Sequence, residues 1–98
     1  MEKILKDVVD AWGYDSQIDM MIEEMSELTK ALLKLKRNSK KPKKEQVKFY
    51  NHVCEEIADV NLMIKQMKYI FSSDMINKYE KEKLERLQDR LDDYNKNK

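Results

Sequence analysis

Apolar residues recur every three or four positions along most of this chain, and that period predicts helices. Residues 2–12 carry Ile4, Leu5, Val8, Val9 and Trp12 at this spacing, and Gly13 follows as a stop. Asp15 and Ser16 offer cap oxygens for a second helix, expected to run from about there to Arg37. Its stripe is Ile18, Met21, Ile22, Met25, Leu28, Leu32 and Leu35. Asn38 to Lys44 is polar, holds Pro42 and predicts a loop. A third helix is expected from Lys44 or Glu45 to about Phe71. Its stripe is Val47, Tyr50, Val53, Ile57, Val60, Ile64, Met67 and Phe71. Ser72, Ser73 and Asp74 supply the next cap. A fourth helix over about 75–94 places Leu84, Leu87, Leu91 and Tyr94 in a short seam of the coiled-coil kind. The polar tail 95–98 is expected to fray. Four helices with short connections indicate an all-α, antiparallel four-helix bundle in one domain, residues 1–98.

Composition agrees with this reading. One Gly and one Pro in 98 residues leave almost nothing to break a helix. The net charge of +1 gives no basis for a stable complex with nucleic acid. No apolar run is long enough for a signal peptide or a membrane span, so neither is expected. The one cysteine, Cys54, has no partner for an intrachain disulfide, and a reducing cytoplasm is the expected compartment. Beyond Val60 the third helix is apolar on more than one side, through Leu62, Met63, Ile64, Met67, Tyr69, Ile70 and Phe71. A thin bundle cannot bury all of these, so a homo-oligomer is expected.

The candidate chemistry lies in two acidic motifs. The second helix holds Glu23-Glu24-Met25-Ser26-Glu27, and the third holds Glu55-Glu56-Ile57-Ala58-Asp59. In each, two carboxylates three residues apart share a helical face and repel. At roughly 100° per residue, Glu24 lies roughly 80° and Glu56 roughly 70° from the centre of its helix's apolar stripe. Either pair alone is what a Glu- and Lys-rich chain produces as a solvated face. Two such pairs at the edges of two packing faces favour a shared site. If the helices pack antiparallel, Glu24, Glu27, Glu56 and Asp59 can converge on one rim. Mg²⁺ fits four such ligands, being hard and commonly shared between carboxylates and phosphates. One His and one Cys are too few for an ordinary zinc site. The di-iron bundle motif, with its paired Glu-x-x-His, is also missing.

Glu23-Glu24-x-x-Glu27, a spacer, then Glu56-x-x-Asp59 resembles the MazG-like all-α nucleoside triphosphate pyrophosphohydrolases. The surrounding text, Glu-Glu-Met-Ser-Glu-Leu-Thr-Lys-Ala-Leu and Glu-Glu-Ile-Ala-Asp-Val, is similar as well. The resemblance covers roughly residues 12–94, with a spacer longer than is usual for the family. It implies a dimer or tetramer, and Mg²⁺ (Mn²⁺ as substitute) on Glu24, Glu27, Glu56 and Asp59. It implies cleavage of a nucleoside triphosphate to monophosphate and pyrophosphate. Glu23 or Glu27 is then the candidate base for the attacking water. The stretch Tyr79-x-x-x-Lys83-Leu84-x-Arg86-Leu87 looks like the closing helix of small members, which implies phosphate contacts for Lys83 and Arg86.

Other residues carry two readings each. Trp12 is read first as core packing and second as a surface for a nucleobase. Gln17 is a surface residue or a base contact. Asn61 lines a pocket or bonds across an interface. His52 is read as exposed, with an extension of the metal site as the second reading. Cys54 is read as a small core hydrophobe. The basic run Lys34, Lys36, Arg37, Lys40, Lys41, Lys43, Lys44 and Lys48 is a solvated loop or a clamp on phosphate. Two rival functions remain. One is a non-catalytic helical interaction module. The other is an enzyme of the same superfamily acting on dUTP or phosphoribosyl-ATP.

Overall fold

Two helices carry the architecture because each keeps one unbroken heptad seam. The computed structural model describes residues 2–97. Helix α1 spans Lys3–Trp12, α2 Tyr14–Arg37, α3 Lys43–Ile70 and α4 Ser73–Lys96, and no strand occurs among the described residues. On α2 the buried and half-buried positions include Gln17, Met21, Glu24, Leu28, Ala31 and Leu35, continued by Asn38. On α3 they include Gln46, Phe49, Val53, Glu56, Val60, Met63, Met67 and Ile70. Both series alternate three and four residues, the spacing of helices packed side by side. Near the connection Ala31 and Lys34 line one cavity with Lys48 and Phe49. Farther along, Glu24 lies beside Glu56 and Asp59. The pairing therefore runs antiparallel.

The seam differs from the stripes read off the sequence. Val53, Val60 and Met67 do face inward, but Val47, Tyr50, Ile57, Ile64 and Phe71 are exposed. On α2, Met21, Leu28 and Leu35 face inward while Ile22, Met25 and Leu32 do not. Each helix has two apolar faces, and a single stripe drawn through both falls between them. Only one face is covered within the chain.

The connection from α2 to α3 is short, residues 38–42, and is tied at both ends. Asn38 Nδ2 donates to Lys34 O at 2.7 Å, and Gln46 Nε2 donates to Ser39 O at 2.6 Å and Lys41 O at 2.5 Å. Pro42 occupies the cap position of α3, ahead of the first helical residue. Gly13 serves both as the end of α1 and the start of α2, with φ +91° and ψ 160°, a conformation that side chains disfavour. Asp15 and Ser16, expected to cap α2, lie inside it instead, because Gly13 turns the chain sharply enough for the helix to restart at Tyr14.

Helix α1 packs on α2 and α3 through Leu5 and the fully buried Val9. Trp12, read first as core, is 67% exposed: it lies only about 20° of helical rotation from Leu5, but it is the last residue of α1, beyond the buried Val9. Helix α4 packs on α3 alone, and none of its residues is buried. The expected bundle is thus three packed helices plus a fourth that stands away, in a flat molecule of 47 × 40 × 20 Å. Ser72 caps α4, its Oγ accepting from Met75 N at 3.1 Å. The helix continues to Lys96, through part of the tail expected to fray; Lys98 lies outside the described residues. No helix among the described residues is long and apolar enough to cross a membrane.

Candidate metal centre

The heptad seam decides which carboxylates meet. Glu24 occupies the seam position between Met21 and Leu28, and Glu56 the one between Val53 and Val60. Two acidic residues thus replace apolar ones at facing points of an otherwise apolar contact. Asp59 sits three residues beyond Glu56 on the rim. One carboxylate oxygen from each of Glu24, Glu56 and Asp59 falls within 4.8 Å of the others.

Burial makes this arrangement costly without a cation. The Glu56 side chain is only 13% exposed, and its Oε2 is buried with no hydrogen-bond partner. Its Oε1 lies 3.8 Å from His52 Nε2, an ion pair only when the imidazole is protonated. Lost solvent pushes the Glu24 carboxyl above the ordinary carboxylate range. Asp59, Glu56, Glu23 and Glu27 push it the same way.

The remaining sequence candidates scatter. Glu27 is half-buried one turn along α2 from Glu24, outside the group of three, and meets Lys30 Nζ at 3.4 Å. Glu23 is exposed beside Glu24. Asn61 is exposed, so its amide meets solvent rather than a buried partner. Gln17, read first as a surface residue, is only 3% exposed because it opens the α2 seam. Lys83 and Arg86 lie on α4, which packs on neither α1 nor α2. Cys54, read as a core hydrophobe, is exposed: it follows Val53 and points off the seam. His52 is half exposed, and the structure sets it against Glu56.

Two features were missed. Gln66 is buried on α3 with Oε1 unpartnered; the apolar residues one turn away, Leu62, Met63 and Ile70, were the only signal. The basic run does not simply surround a loop, since Lys34 and Lys48 reach a cavity between α2 and α3 with Phe49. The spacing Phe49–Val53–Glu56, continuous with the seam, was the available clue.

Among known proteins, the chain matches no family model, no curated protein and no solved structure.

Proposed function

We propose that this chain is a divalent-metal-dependent nucleotide pyrophosphohydrolase of the MazG-like all-α type, acting in the cytoplasm. The observation that supports this reading most is the meeting of Glu24, Glu56 and Asp59 oxygens across two helices. Acidic clusters are common without an ion, so the second support matters: a buried Glu56 oxygen lacking any donor. That donor set is all oxygen, which fits Mg²⁺ or Mn²⁺ better than zinc. Glu24 and Glu56 would hold the ion from the seam and Asp59 from the rim. Glu27 completes the set if it leaves Lys30.

A bound Mg²⁺ would offset phosphate charge and lower the pKa of a ligated water. The chain's own carboxylates do the rest. Glu23 or Glu27, whichever is not fully used in ligation, accepts the proton of the water that attacks the triphosphate. Monophosphate and pyrophosphate are the products. Trp12, exposed at the junction of α1 and α2, is where a base would be read, and Gln17 is buried behind it in the seam. The exposed apolar faces of α2, α3 and α4 support a homodimer or homotetramer. In such an assembly α4 of a neighbouring copy is the element free to bring Lys83 and Arg86 to the phosphates.

The same exposed faces favour one rival, a non-catalytic interaction module. A Mg²⁺-supplemented panel of nucleoside triphosphates, including dUTP, together with phosphoribosyl-ATP, separates the two. Monophosphate plus pyrophosphate, lost with EDTA, supports the enzyme. No turnover, with Mg²⁺ and Mn²⁺ both failing to stabilise the fold, supports the module.

A further inference from the structure

From the carboxylates toward the α2–α3 connection, the seam between the two helices comes to be flanked by lysines instead of acids. There Ala31, Lys34, Lys48, Phe49 and His52 line a cavity of about 290 Å³. Ala31 is buried at a seam position, and its small side chain leaves the space open beside Phe49. The lining holds two ammonium groups and an imidazole, and no carboxylate. Among the described residues neither Lys34 nor Lys48 forms an ion pair. Lys48 Nζ instead lies 5.1 Å from the Phe49 ring centroid, and Lys41 Nζ lies 5.8 Å from the same ring. These like charges repel one another, as the carboxylates do.

The two sites are close along α3. Lys48 precedes Glu56 by eight residues, about 12 Å along α3. His52 lies midway, within 3.8 Å of Glu56 Oε1. The same helix pair therefore places clustered negative charge at one point and, about two turns of α3 away, lysines free of ion pairs. A metal-chelated polyphosphate has the matching polarity, a cation with anionic oxygens extending beyond it.

We propose that the Ala31–Phe49 cavity is a phosphate subsite, in which Lys34 and Lys48 hold the end of a polyphosphate whose metal-bound part lies at Glu24, Glu56 and Asp59. Phe49 sets the position of the Lys48 ammonium. The polyphosphate assignment rests on the nucleotide reading above; the anion site itself rests on the cavity.

The test is calorimetric titration of pyrophosphate into the intact protein, with EDTA and separately with Mg²⁺. Three variants accompany the wild type: Lys34→Gln/Lys48→Gln, Glu56→Gln, and Lys36→Gln/Lys43→Gln, which removes the same charge outside the cavity. Circular dichroism verifies that each is helical. In EDTA, wild type, Glu56→Gln and Lys36→Gln/Lys43→Gln should bind alike. Lys34→Gln/Lys48→Gln should bind at least about tenfold more weakly, since two charged contacts are lost. Mg²⁺ should tighten binding in the wild type and not in Glu56→Gln. With a nucleotide that is turned over, Lys34→Gln/Lys48→Gln should raise KM more than it lowers kcat. Equal binding by Lys34→Gln/Lys48→Gln and wild type overturns the subsite. An equal loss in Lys36→Gln/Lys43→Gln also overturns it, leaving only general attraction to a basic surface. EDTA-resistant binding without Mg²⁺ enhancement or turnover keeps the anion site and removes the nucleotide reading.

Discussion

Glu24 of α2 and Glu56 of α3 bring carboxylate oxygens within 4.8 Å of each other at facing seam positions. A seam position is normally apolar, so the pair costs stability that a cation would restore. The sign can be checked by pH. Glu24 has a folded pKa raised above the ordinary 4.5, through desolvation first and neighbouring carboxylates next. The unfolded chain therefore ionises first as pH rises. Stability falls from the ordinary value up through the raised one, and the penalty is complete once pH has passed the raised one. Glu24→Gln should melt higher than wild type at pH 7 without metal, with the gain vanishing as pH falls below 4.5. Added Mg²⁺ should reverse the order, because only the wild type keeps all three ligands. A variant that melts lower at pH 7 without metal would mean that the repulsion is not the controlling effect.

Glu56→Gln separates chemistry from fold. The substitution keeps size and removes the charge from a carboxylate that is only 13% exposed and has a buried, unpartnered oxygen. Turnover of the nucleotide identified in the substrate panel should drop at least about a hundredfold, since even outer-shell changes at metal sites cost up to that much. The thermal midpoint without metal should not fall. Steady-state kinetics beside a melting curve measures both, and retained turnover in a folded variant rejects the metal assignment.

Tyr69 and Asp10 tie α3 to α1. The Tyr69 hydroxyl donates to Asp10 Oδ1 at 2.9 Å across 59 residues of sequence. That bond, then desolvation, raises the Tyr69 pKa above 10.0. Here the protonated form carries the stabilisation. It is complete below the ordinary tyrosine value and is lost as pH rises through the raised one. Tyr69→Phe should lower the melting midpoint at pH 7, and the difference from wild type should close at strongly alkaline pH. A constant difference across that range would assign the loss to packing.

Helix α4 depends on its start more than the other helices do. None of its residues is buried, and the Ser72 Oγ contact with Met75 N at 3.1 Å fixes its first turn. Ser72→Ala should cost about 1 kcal/mol of helix stability. With so little packing behind it, α4 should fray before α1–α3 unfold. Hydrogen exchange resolved by residue should show faster exchange over the first turns of α4 and little change at Val9 or Val60. Uniform loss across all four helices would show that α4 melts only with the rest.

Helix number and boundaries were legible because one Gly and one Pro leave few places to stop. Gly13 and Pro42 lie at helix ends, and Ser72 caps as its position suggested. The acidic motifs were legible as pairs, and three of the four expected ligands meet. Facing was harder to read. Ile22, Met25, Tyr50 and Ile57 are as apolar as the seam residues, so periodicity alone could not say which face the neighbouring helix takes. The stripe centres consequently fell between two faces, and Glu24 and Glu56 were placed at an edge when they sit within the seam. Cys54 and Gln17 went astray for the same reason. A rotation of part of a turn exchanges buried for exposed.

The uncovered face yields the last prediction. Val47, Tyr50, Ile57, Ile64 and Phe71 are exposed along one side of α3, too many for scattered surface residues. Ile57 adjoins Glu56, so whatever covers that face also lies against the candidate metal centre. If a second copy covers it, Ile57→Glu places an unpaired charge in the interface. The penalty, about 3 kcal/mol, weakens self-association by about two orders of magnitude. Light scattering at micromolar concentration should give an oligomer for wild type and smaller species for Ile57→Glu. Circular dichroism should show the variant still helical, because Ile57 does not belong to the α2–α3 seam. Turnover should fall with dissociation and recover at high protein concentration if α4 of a neighbouring copy supplies Lys83 and Arg86. Full activity in a dissociated variant would leave the assembly intact as a structural idea but place those two cations outside the reaction. A wild-type monomer would remove the assembly itself and make the exposed face a surface for some other partner.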